Sequence, residues 1–259
     1  MINFITHNCS MEYLYRLPLY ILFGILPSLS WLAYYLGKDL HPEPKKTILK
    51  IFFYGVIVTI PVFLLQVGLS AILDHLKSSG LFDGYPVIAD ILKWFIVIAL
   101  TEELLKYVVV KMAILGNPEL DEPLDIMLYM VVSALGFAAL ENVLYLFSPI
   151  DHVVFADVIK VTVIITFIRF VGSTFLHTLC SALLGYFLAL SSLRSKKRFP
   201  LFITGLLSAT LLHGLYDFSI MVIDNPLNLT IPFFVIVVLA FFMLYDFDEV
   251  KKLKGICKI

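Results

Sequence analysis

Charge is what this chain has least of. Asp, Glu, Lys and Arg make up 15% of its 259 residues, against roughly 25% in a soluble domain, while 60% are hydrophobic and the mean hydropathy is +0.95. A water-soluble globular domain is excluded; 19 basic against 20 acidic residues hide a polarised distribution and by themselves say nothing about nucleic acid, and no nucleic-acid partner is expected. Cysteine is scarce too. The three present, Cys9, Cys180 and Cys257, are expected on the outer tail, in the fifth helix and on the cytoplasmic tail, so no disulfide framework is implied. There is no internal repeat, no low-complexity linker and no soluble domain, and the chain reads as one unit over residues 1–259. The short alternating segments of an outer-membrane barrel are also missing.

What fills the chain instead is a series of apolar runs of membrane length: Leu17–Leu36, Thr47–Leu73, Ile91–Leu115, Leu124–Phe147, Val161–Leu193, Leu201–Ile223 and Ile231–Tyr245. Each approaches or exceeds the roughly 20 apolar residues that cross a hydrocarbon core about 30 Å thick. The expectation is an all-α, polytopic transmembrane helix bundle of about seven spans in the cell membrane. The first run is preceded by one Arg, followed by lysines, and lacks a small-residue cleavage site, so it is expected as a retained helix. Basic residues cluster at Lys38, Lys45, Lys46 and Lys50, again at Arg194, Lys196, Lys197 and Arg198, and again at Lys251, Lys252, Lys254 and Lys258. The opposite loops carry only Arg16, Lys77, Lys93 and Lys160. The positive-inside rule then puts the amino terminus outside and the carboxyl terminus in the cytoplasm.

Against this background a few ionisable residues stand inside the apolar runs: Glu102, Glu103, Lys106, Glu141, His177, His213 and Asp217. A charge at the bilayer centre is unfavourable by roughly 2.5–3.5 kcal/mol on insertion scales, so such residues pair with one another and mark function. Lys106 follows the two Glu residues by three and four positions, which sets it beside both on neighbouring turns. A purely structural ion pair would account for Lys106 and one Glu, leaving the other unexplained. His213 and Asp217 are four apart and share a face, and a carboxylate beside an imidazole fixes its tautomer. That pair suits a general base, a metal ligand with its supporting partner, or an oxyanion-stabilising donor, and otherwise a helix-bridging hydrogen bond. Because alternate helices run in opposite directions, Glu102, Glu103, His177 and His213 reach similar depths, with Glu141 and Asn142 nearer the outside. Small residues at Ser133, Ala134, Gly136, Ala138 and Ala139, and at Ser181, Gly185 and Ala189, permit close helix approach around them. Arg169 reads either as an interfacial residue or as the partner of a carboxylate.

These segments resemble the PrsW family of intramembrane proteases. The resemblance is carried by Glu102-Glu103-Leu104-Leu105-Lys106, Glu141-Asn142-Val143-Leu144-Tyr145, the segment from His177 through Gly185, and His213-Gly214-Leu215-Tyr216-Asp217-Phe218. Asp39 and Pro42-Glu43-Pro44 resemble the acidic element after that family's first helix. A more distant similarity is to the type II CAAX prenyl endopeptidases. The resemblance implies proteolysis of a membrane-embedded partner within the lipid bilayer, in the best-known bacterial case an anti-sigma factor.

Peptide hydrolysis needs an activated water, a stabilised oxyanion and a protonated leaving amine. Glu102 or Glu103 is the candidate water-activating base, Lys106 holds its neighbour ionised, His177 and His213 position water or stabilise the oxyanion, and Asp217 orients His213. The competing version places Zn2+ or another divalent metal on His177, His213 and Glu141, since two His and one carboxylate plus water form a catalytic zinc set. The His-Glu-x-x-His signature of helical zincins is absent. Outside proteolysis, the alternative is a proton- or ion-coupled transporter, which would call for paired broken helices or a repeat.

Overall fold

A computed structural model describes residues 2–37, 43–114, 122–147, 155–193 and 195–252. The expectations attached to Lys38, Asp39, Pro42, Leu115, Arg194, Lys254, Cys257 and Lys258 concern positions outside the described residues. Among the described residues the chain is helical and has no strand. The order is α1 (Ile2–Leu36), α2 (Lys45–Ser78), α3 (Pro86–Ile91), a π-helical segment (Leu92–Leu100), α4 (Thr101–Ile114), α5 (Pro123–Leu146), α6 (Phe155–Val171), α7 (Ser173–Leu193), a 3₁₀ turn (Ser195–Lys197), α8 (Arg198–Val222) and α9 (Leu227–Lys252).

Six helical stretches are long and apolar enough to cross a membrane: Arg16–Leu36, Lys45–Ser78, Pro123–Leu146, Asp157–Leu193, Arg198–Val222 and Leu227–Tyr245. The third expected run, Ile91–Leu115, is helical as far as it is described, through Ile114, but does not qualify on composition, because the charges of the site lie in it. It is built as α3, the π segment and α4 in succession. Six spans and this charged rod agree with the expected count of about seven. The expected fifth run is two helices, α6 and α7, meeting at Gly172, where a Cβ would lie 2.6 Å from the Tyr216 hydroxyl.

Helix α5 is the axis of the bundle. Of its most apolar window 94% is buried inside the protein, against 17–39% for the other five spans, as expected of a helix that is hydrophobic all round. It starts on a reciprocal cap: the Asp125 carboxylate accepts from the Glu122 backbone N–H at 2.7 Å, the Glu122 side chain accepts in return, and Pro123 follows. Helices α7 and α2 pack most extensively on α5. At the α2 crossing the backbones nearly touch, since a Cβ on Gly136 would sit 2.0 Å from the Phe52 carbonyl oxygen. On the α7 side Gly185 meets the Met127 backbone in the same way. With no apolar driving force between helices in lipid, such close approach supplies the packing energy.

Two further contacts position the site. Trp31 of α1 donates its indole N–H to the Phe170 carbonyl at 2.9 Å and stacks on Phe175 with ring centroids 4.3 Å apart, tying α1 across the α6–α7 junction. The wide π segment leans on α8, where Phe95 fills the space above Gly214. Its last turn is closed by the Thr101 hydroxyl, which donates to the Val97 and Ile98 carbonyls at 2.6 and 2.9 Å. Such rare i→i+5 segments occur often at functional sites, and here it ends directly before Glu102.

Candidate active site

Helices α4, α5, α7 and α8 converge on one polar cluster. Glu103 and Lys106 of α4 are fully buried, and Glu102, His177 of α7 and His213 of α8 nearly so. The helical spacing of α4 aims both carboxylates at Lys106: its ammonium donates to Glu103 Oε1 at 2.8 Å and reaches Glu102 Oε2 at 3.5 Å. Its third donor points at His177 Nδ1, 2.8 Å away, and the ammonium lies 4.5 Å from the centre of the Phe137 ring. An ammonium has no lone pair, so His177 Nδ1 must accept. The ring hydrogen then sits on Nε2, which donates to Glu141 Oε2 at 2.9 Å.

The two glutamates are not equivalent. Glu103 is held on every side: Oε1 by Lys106 and by His213 Nδ1 at 3.0 Å, Oε2 by the Ser181 hydroxyl at 2.9 Å. Glu102 is looser. Its Oε1 accepts from Gln66 at 3.1 Å, while Oε2 has its nearest donor, Lys106, at 3.5 Å. That oxygen lies 3.8 Å from His177 Nδ1 and 3.8 Å from His213 Nε2, with the two rings edge-on at 5.0 Å. His213 Nε2 also faces Asp217 Oδ2 at 3.3 Å, one turn further along α8.

Each histidine therefore links the buried centre to a carboxylate nearer the surface, Glu141 or Asp217, whose side chains are 32% and 23% exposed. Glu141 is braced by Arg169 Nη2 at 2.8 Å, and Arg169 also reaches Asn142 Oδ1 and the Ser173 hydroxyl. Asn142 in turn donates to Thr174 at 2.9 Å. Glu102, Glu103, Lys106, Glu141, His177, His213 and Asp217 thus form one connected network, with Asn142 joined through Arg169. Arg169 is the partner of a carboxylate, Glu141. Gln66 and Ser181 are additions: Gln66 is an isolated amide in an apolar run, and Ser181 reads in the sequence only as a small packing residue.

The group best able to hold a metal ion is Glu102, His177 and His213, whose ligand atoms lie within 4.8 Å of one another. Glu141 is outside that trio, because its Oε2 is taken by Arg169 and by the far nitrogen of His177. The donor set suits a divalent cation. Separations of 3.8 Å exceed the roughly 3.3 Å edge of a zinc tetrahedron with bonds of about 2.0 Å, and Lys106 would have to leave His177 Nδ1. Four carboxylates, Glu102, Glu103, Glu141 and Asp217, face the two fixed cations, Lys106 and Arg169, and His213 has a carboxylate against each of its ring nitrogens.

The model of the PrsW family, described as intramembrane metalloproteases, matches residues 43–245. The chain belongs to the PrsW family. It is 27% identical to Protease PrsW of Bacillus subtilis (strain 168) over 82% of this chain and 87% of that protein. It is 30% identical to Protease PrsW of Geobacillus kaustophilus (strain HTA426), over 76% and 78% of the two chains. Protease PrsW of Clostridioides difficile (strain 630) is 29% identical over 80% and 81%. No solved structure matches the chain. As a PrsW-family protein it is a multi-pass membrane peptidase, and the transporter alternative is not favoured. The family description also makes a metal relevant to the Glu102, His177 and His213 group without naming which ion.

Proposed function

We propose that this chain is an intramembrane endopeptidase acting on single-span membrane proteins, with its reacting centre at Glu102 Oε2, His177 Nδ1 and His213 Nε2. An anti-sigma factor is the substrate implied by the family resemblance. The observation that carries this reading is the 3.8 Å approach of Glu102 Oε2 to both imidazoles at the meeting of three helices. With Lys106 turned away from His177 Nδ1, all three atoms are within reach of one water at about 2.8 Å. The whole chain is read as one catalytic unit, amino terminus outside.

Glu102 Oε2 is the proton acceptor for the attacking water, being the least engaged of the four carboxylate oxygens of Glu102 and Glu103. Glu103, tied at both oxygens, holds Lys106 and His213 in register. His213, with Asp217 on its Nε2, serves the developing oxyanion or the leaving amine, and the His177–Glu141 pair gives a second route for the proton towards the surface. Glu102, His177 and His213 would also hold a divalent metal, which when bound supplies Lewis-acid activation of water and carbonyl.

The test is cleavage of a fluorogenic single-span reporter by the purified chain in lipid nanodiscs. Glu102→Gln and His213→Ala are each expected to lower kcat/KM by about 100-fold or more. Unchanged cleavage by both variants would sink the assignment. Metal content of the same preparation, with chelation and reconstitution, decides whether the ion is required.

A further inference from the structure

Away from the polar cluster, a crevice of about 730 Å³ opens between α4, α5, α7 and α8, within the roughly 300–1,000 Å³ typical of ligand pockets. Its walls are largely apolar and aromatic, with Leu104, Tyr107, Tyr129 and Phe202 prominent. Its two charged lining residues are both cations, Lys111 at the end of α4 and Arg198 at the start of α8. Both are exposed, and among the described residues neither has a carboxylate within ion-pair distance. Lys111 extends over the Tyr107 ring at 5.9 Å, and Glu43 is bonded to the Tyr129 hydroxyl. Lys196 and Lys197, next to Arg198 in the chain, are also exposed.

A hydrocarbon-lined slot with a cationic rim complements a molecule with an acyl chain and an anionic head. Basic pockets between membrane helices bind anionic lipid headgroups on the cytoplasmic side, and this rim lies at the end of the bundle expected to face the cytoplasm. We infer that the crevice is a binding site for an anionic phospholipid, its phosphate on Lys111 and Arg198 and an acyl chain along Leu104, Tyr107 and Phe202. The occupant would rest on the helix that carries the site, since Leu104 and Tyr107 directly follow Glu103 and Lys106. The inference is separate from the proposed catalysis: a chain unable to cleave the reporter would still show the lipid preference.

The experiment is native mass spectrometry of the full chain, delipidated in detergent and titrated with phosphatidylglycerol or phosphatidylcholine. Phosphatidylglycerol is expected to bind about tenfold more tightly or better. Lys111→Gln combined with Arg198→Gln should bring the two lipids within about twofold, with helical circular dichroism unchanged. Lys77→Gln, at the other end of the bundle, should keep the preference. Equal binding of both lipids by the unaltered chain would overturn the inference. So would a preference that survives in the double variant, or displacement of the lipid by millimolar inorganic phosphate, which would mark a free-anion site. Displacement by a substrate-like apolar helix of no net charge would assign the crevice to substrate instead.

Discussion

Helices α4 and α5 lie side by side and solve opposite problems. Over most of its length α5 carries only small and apolar residues, and it is buried on every side. By contrast α4 places Glu102, Glu103 and Lys106 within two turns and buries all three. The first is stabilised by close backbone approach, at Gly136 against α2 and Met127 against α7. The second is stabilised by partners supplied from elsewhere: Gln66 of α2, His177 and Ser181 of α7, His213 of α8. Charge is tolerated in this bundle because an apolar helix holds its neighbours near enough to meet it.

The contrast can be broken first on the polar side. Lys106→Met leaves two buried carboxylates without their cation, and a loss of about 3–5 kcal/mol is expected, read as a large fall in thermal midpoint in nanodiscs. A midpoint within a few degrees of the unaltered chain would show that Lys106 is dispensable to the fold. Next comes the packing side, where Gly136→Val drives a side chain into the Phe52 carbonyl, and about 1–3 kcal/mol should be lost. Gly68→Ala is its control, because nothing lies within 4 Å of the added carbon and no fall in midpoint is expected, Ala being the better helix former. The smallest measurable effect is Ser181→Ala, which removes one of three groups on Glu103. About 0.6 kcal/mol, and at most about 1.7, should be lost. If Ser181→Ala proved as damaging as Lys106→Met, the view of α4 as a charge cluster held mainly by its own lysine would fail.

Much of this arrangement is legible in the amino-acid sequence. The i, i+3 and i, i+4 placing of Lys106 after two glutamates, and of Asp217 after His213, follows from helical geometry alone, and both contacts are present. Other parts are not legible there. Gln66 is a lone amide whose partner lies 36 residues away, and no local pattern announces such a bond. Arg169 has two plausible destinations, and only the approach of α6 to α5 brings it to Glu141. The π-helical stretch before Thr101 carries no signal in hydropathy, because an apolar run reads the same at either winding.

By itself, then, the sequence determined that this is a membrane bundle, which helices carry ionisable groups, and which of those groups share a helical face. These are local properties, set by hydrophobic length and a period of 3.6 residues. The tertiary structure decided how the two glutamates divide: Glu103 locked by three partners, Glu102 open between two imidazoles. It also put Glu102 rather than Glu141 into the potential metal group, and opened a cation-rimmed crevice beside α4. Those outcomes depend on which faces of different helices meet, and hydrogen bonds between helices are set by that packing rather than by spacing along the chain.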